Sequence, residues 1–362
     1  MNAIGRRRWR VAVVGCGGAA FGIHLPALAA HPGWQIVAVA DRQVERAEQA
    51  AARFGISRVA RDTADLLEGI DLLAVLTGVH EPWIEQALDA RVHVFTEKPL
   101  SLDVDRSRRL RRRAARAGRL LEVGTIRAFD PAVASLLAQL PPAGLRGGWL
   151  VKADGCDETV RRPFLPDGAV PYTFAADPPQ QAPACLSPAG RRALEIWLWQ
   201  GYHLLTVIAM AAPHAQPLSC TLAADGDAVH GCVRTETGAV IACSVGPAVP
   251  GIQLDQAVLT GPDTTFTASF PPPYGPAGPG TLTTFGHQDD DICVAPDLPA
   301  VRMWSAIAQR LTDHALGQAG DGGTGRLAEN VERLAAGLAY LTTTTTTTSS
   351  GGAVPPMPSE VL

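Results

Sequence analysis

The chain has 362 residues, of which 46% are hydrophobic and 18% charged, with a formal net charge of −4. That length exceeds one ordinary core and suits two domains, and the composition excludes a disordered chain. The slight negative charge supplies no general basic field for nucleic acid or an anionic membrane.

Arg6, Arg7, Arg8 and Arg10 open the chain. They read as a ragged terminus entering the first strand rather than a twin-arginine signal, because no small-residue cleavage site follows. Val11–Val14 is a short apolar run that ends at Gly15-Cys16-Gly17-Gly18-Ala19-Ala20, and a helical pattern continues to about Ala30. Next come a strand over Gln35–Ala40 ending at Asp41, a helix over Val44–Phe54, a short strand near Arg58 and a small helix. Leu72–Leu76 reads as strand, 81–90 as helix, Val92–Phe95 as strand, Val104–Ala117 as an arginine-crowded helix and Leu120–Val123 as strand. Strands alternating with helices through short turns predict an α/β domain, a parallel sheet covered on both faces.

Beyond about Thr125 the pattern changes. A helix near Ala132–Gln139 precedes a proline- and aspartate-rich stretch, 155–190, which reads as a functional or disordered loop. A continuous apolar helix is predicted over Arg191–Ala212; Glu195, Gln200, Gly201 and His203 interrupt it, so it reads as buried rather than membrane-spanning. Five β-type segments (218–224, 228–236, 239–246, 253–260, 264–269) predict a mainly antiparallel sheet, closed by helices near 298–316 and 325–342. The threonine run 342–348 and the tail are low-complexity and receive no function. The expected division is therefore 1–125, 126–345 and a tail, 346–362.

Seven scattered cysteines without a Cys-x-x-Cys pair argue against a disulfide framework or zinc site and for a reducing cytoplasm; Cys16 reads as a small packing residue in the glycine loop. Of 31 basic residues only Lys98 and Lys152 are lysine, so each merits attention. Arg161 and Arg162 beside Asp157 read as a solvated loop, although such a group could bind an anion, and Asp289-Asp290-Asp291 as a solvated turn.

Gly15-x-Gly17-x-x-Ala20 between strand and helix, with Asp41 ending the next strand, is a dinucleotide fingerprint of a Rossmann domain. Gly15 allows the tight turn, Gly17 and Gly18 let the backbone approach pyrophosphate at the helix N-terminus, and Ala20 permits close helix–strand packing. Asp41 suits the adenosine ribose and opposes a 2′-phosphate, favouring NAD over NADP, while Arg42 could lie over adenine or pair with a phosphate.

Glu97-Lys98-Pro99 after a strand, Ala87-Leu88-x-Ala90 before it, His24-x-Pro26 and Arg127-x-Phe129-Asp130-Pro131 resemble the glucose–fructose oxidoreductase/inositol dehydrogenase/MocA family. The resemblance is densest over 11–131. It implies an N-terminal Rossmann doubly wound parallel sheet plus a C-terminal α+β domain with a large, mainly antiparallel open sheet, often the homodimer or homotetramer interface. It implies that Lys98 contacts substrate and nicotinamide and assists proton movement, that Glu97 orients its loop, and that the bond to Pro99 is cis. Thr77 and His80 fall on the nicotinamide side, and Arg127 either contacts substrate or the domain interface or forms a structural salt bridge.

The family's second catalytic segment, Asp-x-Gly-x-His-x-x-Asp, corresponds to Trp199-Gln200-Gly201-Tyr202-His203-Leu204-Leu205-Thr206. Gly201 and His203 match; Trp199 and Thr206 replace both acids. His203 is the expected acid–base group, with Tyr202 as a second proton donor, and Trp199 and Thr206 would line a pocket more apolar than a polyol site. Glu195 lies too far along a straight helix to orient His203, whereas Asp154, Asp157 or Asp177 could supply a carboxylate. The expected function is hydride transfer between nicotinamide and a carbonyl or alcohol carbon of a sugar, cyclitol or related small molecule. The arginine-rich composition suggests a specialised pathway of a high-GC bacterium. An imine or alkene reductase and a non-catalytic dinucleotide sensor are the alternatives.

Overall fold

The structure, a computed structural model, describes residues 8–141, 144–155, 162–165, 182–249, 252–272, 274, 278–286, 291–294, 297–318 and 323–344. The first domain is a five-stranded sheet in the order β2-β1-β3-β4-β5, parallel throughout. Its strands are β1 (Trp9–Val14), β2 (Trp34–Ala40), β3 (Leu72–Val75), β4 (His93–Thr96) and β5 (Leu121–Val123). Val11 to Val14 and Leu72 to Val75 are buried along their length, because helices cover both sheet faces.

A π-helical turn, Ala20–His24, leads into α1 (Leu25–Ala30); α2 (Val44–Phe54), α3 (Thr63–Leu67), α4 (Glu81–Asp89) and α5 (Val104–Ala117) complete the layer. The side chain of Asp103 caps α5 by accepting the amide of Asp105, and Gly118 ends the helix at φ 61. The expected short strand near Arg58 is a single bridge, Val39 to Val59.

After α6 (Pro131–Gln139) the second domain forms a nine-stranded sheet in the order β13-β12-β11-β10-β6-β9-β8-β7-β14. The five expected strands are present as β7 (Gln216–Leu222), β8 (Val229–Arg234), β9 (Val240–Pro247), β10 (Gln253–Thr260) and β11 (Thr264–Ser269). Four more join them: β6 (Gly147–Asp154), β12 (Thr281–Gly286), β13 (Asp291–Val294) and β14 (Thr342–Thr344), which draws the start of the threonine run into the sheet beside β7. Neighbours pair antiparallel except β6 with β9 and β7 with β14.

The apolar stretch expected as one helix is two, α7 (Pro188–Trp199) and α8 (Tyr202–Ala211). The amides of Gln200 and Gly201 both bond the carbonyl of Ile196, which ends the regular ladder. A Cβ on Gly201 would lie 2.8 Å from the Trp197 ring and 3.0 Å from Val245, so the junction presses against its own helix and the sheet. These helices and α10 (Thr324–Tyr340) cover one sheet face around Trp197, Tyr202, Leu334 and Ile241. The remaining long helix, α9 (Pro299–Ala315), packs Trp304 against Trp34 and Phe95 of the first domain. Among the described residues no helix is long and apolar enough to cross a membrane. The tail 346–362 lies outside the described residues.

Candidate active site

The glycine loop follows β1. Gly15 has φ +93, and a Cβ there would stand 2.7 Å from the carbonyl carbon and oxygen of Leu76, so only glycine fits. Around Gly17 a Cβ would meet nothing within 4 Å, leaving open the space a pyrophosphate needs. Gly18 is half-buried and Ala20 fully buried against the sheet. Asp41 accepts the Cys16 amide (2.7 Å) on one oxygen and the Gln43 amide (2.8 Å) on the other. Each oxygen keeps acceptor capacity for a ribose hydroxyl. Arg42 is exposed beside it. Burial, with the charge of Asp41, raises the Cys16 thiol far above its ordinary range, so Cys16 is an inert packing residue. These residues fit a dinucleotide.

Lys98 stands at the carboxyl end of β4, and the Lys98–Pro99 bond is cis. Its loop is tied down from several directions. His80, buried at the start of α4, donates from Nδ1 to the Pro99 carbonyl (2.8 Å), which places it beneath the loop. Burial holds its imidazole below the usual proton affinity. Thr77 turns its hydroxyl to the Val79 carbonyl (2.7 Å). Glu97 accepts from His24 Nε2 (2.8 Å) and from the Lys98 amide (3.1 Å). Burial raises the Glu97 carboxyl, but the His24 bond and the Lys98 charge outweigh it and keep the group ionised. From α10, Glu332 accepts the Leu100 amide (2.7 Å) and the Ser107 hydroxyl. The lysine loop is thus clamped by both domains. Nothing in the sequence marks Glu332, which reaches across 232 residues from an ordinary amphipathic helix.

The Lys98 ammonium donates to the carbonyl of Trp199 (3.0 Å), the last residue of α7. A cation there meets the negative end of the helix. His203, on the first turn of α8, is buried, and Nδ1 has no hydrogen-bond partner among the described residues. Burial first, then the charges of Lys98, Lys152 and Arg127, push its proton affinity well below the ordinary histidine range, so the imidazole is neutral. Tyr202 is fully buried, with the Lys98 ammonium 5.8 Å from its ring centroid and its hydroxyl likewise unpartnered among the described residues. Burial raises its phenol well above the usual range. Thr206 bonds the Tyr202 carbonyl (2.8 Å) within its own helix. Trp199 is half-buried at the junction.

Arg127 is buried in an ion pair with Asp255 (2.9 Å), near Asp130 (3.5 Å) and over the Phe270 ring (4.5 Å), which gives it a structural anchor between the 3₁₀ turn Ile126–Phe129 and the second sheet. Lys152, from β6, pairs with Asp154 (3.1 Å). The chain's two lysines therefore both act on His203, and lysine scarcity was the one sequence signal for Lys152. Of the carboxylates considered as partners for His203, Glu195 pairs with Arg192 near the surface and Asp154 with Lys152. Asp157, Asp177 and Arg161 lie outside the described residues; Arg162 is exposed.

The family described as oxidoreductase family, NAD-binding Rossmann fold, matches residues 9–125. A dTDP-3,4-didehydro-2,6-dideoxy-alpha-D-glucose 3-reductase of Actinomadura kijaniata is 40% identical over 116 residues, 31% of this chain and 35% of that protein. A scyllo-inositol 2-dehydrogenase (NAD(+)) of Bacillus subtilis (strain 168) is 36% identical over 107 residues, 28% of this chain and 31% of that protein. The chain thus matches about a third of the length of these curated relatives. Among solved structures, a variant of a 3-ketoreductase from Actinomadura kijaniata in complex with TDP-benzene and NADP superposes with TM-score 0.71 at 19% identity, covering 93% of this chain and 99% of that one. An oxidoreductase from Agrobacterium radiobacter in complex with NAD+, L-tartaric acid and magnesium gives TM-score 0.68 at 18% identity, covering 91% and 94%. These two similarities extend the shared fold over both domains. Residues 9–125 thus match the NAD-binding Rossmann fold of the glucose–fructose oxidoreductase/inositol dehydrogenase/MocA family of oxidoreductases.

Proposed function

We propose that the protein is an NAD-dependent oxidoreductase that moves hydride between nicotinamide and a carbonyl or alcohol carbon of a sugar, cyclitol or related small molecule. The observation that carries this reading is the convergence of Lys98, from the carboxyl end of β4, with His203, from the first turn of α8. Ligands of open α/β sheets bind at the carboxyl ends of the strands. The bound dinucleotide would supply the hydride chemistry. Gly15, Gly17, Gly18 and Ala20 would hold its pyrophosphate, Asp41 with Arg42 its adenosine end, and Thr77 the nicotinamide side. His80 and Glu97 act by fixing the Lys98 loop.

Lys98 polarises the reacting oxygen through its ammonium, a role for which a compact cation suits better than guanidinium. His203, neutral and with Nδ1 unpartnered, accepts the proton that an alcohol loses on oxidation. Tyr202, whose hydroxyl is fully buried, serves as a wall beneath Lys98. Trp199 makes the junction less suited to a polyhydroxylated ring than a carboxylate would. Asp41 favours NAD over NADP by repelling a 2′-phosphate. The sheet face opposite the helices leaves Trp149 54% exposed beside Val240 and Leu254, which supports a homodimer or homotetramer through that sheet. A specialised bacterial pathway fits the arginine-rich composition.

The test is transfer of deuterium from C4-labelled NADH into a metabolite extract, followed by mass spectrometry. Label in a small molecule supports the reading and identifies the substrate. NADH binding without transfer, from either C4 face and with NADPH also tried, would make the protein a non-catalytic dinucleotide sensor.

A further inference from the structure

We infer that Lys152 is a substrate-contacting residue and that the substrate carries a carboxylate, which Lys152 holds beside the reacting carbon. The inference deepens the proposed oxidoreductase reading and rests on it.

Lys152 lies on β6 with its side chain buried, on the sheet face that α7 and α8 cover. Its register partner on β9 is Val245. That valine stands 3.0 Å from where a Cβ of Gly201 would be, so the sheet touches the α7–α8 junction one strand away from Lys152. The same junction receives Lys98 on the Trp199 carbonyl and begins the helix that bears His203. Lys98 thus meets the helix junction directly and Lys152, from the other domain, lies one strand away from it, in a chain whose other Lys/Arg residues are all arginine.

The charged groups that act on the His203 ring are all cations: Lys98, Lys152 and Arg127. The stretch from Trp199 to Thr206 contributes no carboxylate. Asp154 engages Lys152 through one contact, and an ammonium has three donors. Two buried donors, Arg127 Nε and the Tyr202 hydroxyl, lack protein partners among the described residues. Such groups are costly to bury unless something accepts from them. A site that keeps unfilled donors beside a buried ammonium is completed by an anionic acceptor. Arg127 has committed its terminal nitrogens to Asp255 and Asp130, which leaves no free fork for a phosphate. A carboxylate, flat and smaller than a phosphate, matches two point-charge lysines and single N–H or O–H donors.

The experiment is calorimetric titration of oxalate, a planar carboxylate probe, into the NADH-saturated full-length protein. myo-Inositol and inorganic phosphate are titrated in parallel. Oxalate is expected to bind, with affinity at least about tenfold weaker in Lys152→Met. Because that variant leaves Asp154 unpaired, Lys152→Met with Asp154→Asn is measured beside it and is expected to show the same loss. In the wild-type protein, oxalate affinity should also fall as ionic strength rises. Oxalate failing to bind while NADH binds overturns the inference. So does wild-type affinity in the double variant, or phosphate or myo-inositol binding as well as oxalate. Failure of NADH itself to bind would instead overturn the dinucleotide reading, and this inference with it.

Discussion

The ammonium of Lys98 lies 3.0 Å from the carbonyl oxygen of Trp199. One bond joins the carboxyl end of the first domain's sheet to the C-terminus of a helix in the second. It directs Lys98 towards the junction from which His203 emerges, and it exploits the partial negative charge of a helix end to hold a cation in place. The two domains are therefore bridged by the residue proposed to do the chemistry.

The glycine loop makes a paired prediction. Gly15→Ala forces a Cβ against the Leu76 backbone at a positive φ, so unfolding experiments should show destabilisation on the order of 2–3 kcal/mol. Gly17→Ala adds a methyl to open space and should leave stability within about 0.5–1 kcal/mol. Its NADH affinity, measured by fluorescence, should nevertheless drop at least about tenfold, because the methyl occupies the pyrophosphate's approach.

Thr206 bonds only its own helix among the contacts described, and is buried. Thr206→Val should cost about 1 kcal/mol or less and preserve activity. Thr206→Asp buries a carboxylate and should cost on the order of 3–5 kcal/mol in denaturant unfolding. A Val variant that kept full stability but lost turnover would instead place Thr206 against substrate.

His93 gives a pH prediction. Its Nδ1 accepts the Leu120 amide (3.0 Å), which requires the neutral ring. Burial, then the charges of His314 and Arg119, lower its pKa from 6.5 to about 3. The unfolded chain binds this proton first as pH falls, so the contribution is fully present above about pH 6.5 and declines below it. At pH 5 the loss is about 2 kcal/mol. Denaturation midpoints of His93→Gln should fall less steeply between pH 7 and 5 than those of the wild type; equal slopes would assign the acid sensitivity elsewhere.

Glu332 carries a prediction about positioning. Glu332→Gln keeps the shape but alters the bonds to the Leu100 amide and Ser107 hydroxyl that brace the Lys98 loop. Burial, opposed by those bonds, lifts its carboxyl to about 8. Once a substrate is in hand, the variant should lower kcat more than it raises KM and change the pH profile between 7 and 9. A uniform loss at all pH values, tracking stability, would mean a purely structural role.

Much of the first domain was legible because its determinants are local. Gly15, Ala20 and Asp41 sit within one strand–turn–helix–strand unit, and Glu97-Lys98-Pro99 is contiguous. The junction at Gly201 was hidden because its cause is tertiary: an apolar run reads as one helix until Trp197 and Val245 are seen against that glycine. β6 was overlooked because a buried lysine interrupts its apolar pattern, and Lys152 stood out by residue type before its place was known. His203 could be named from the sequence, but its neutral state follows from tertiary burial and then from three cations on separate elements, and the role of Glu332 from a contact across 232 residues.

The central claim, that Lys98 takes part in hydride transfer, is tested most directly by comparing wild type and Lys98→Ala in the deuterium-transfer assay at saturating C4-labelled NADH. The account predicts similar NADH affinity and a loss of label transfer of about 10²–10⁴-fold, which Lys98→Arg does not restore. Transfer by Lys98→Ala at the wild-type rate would contradict it.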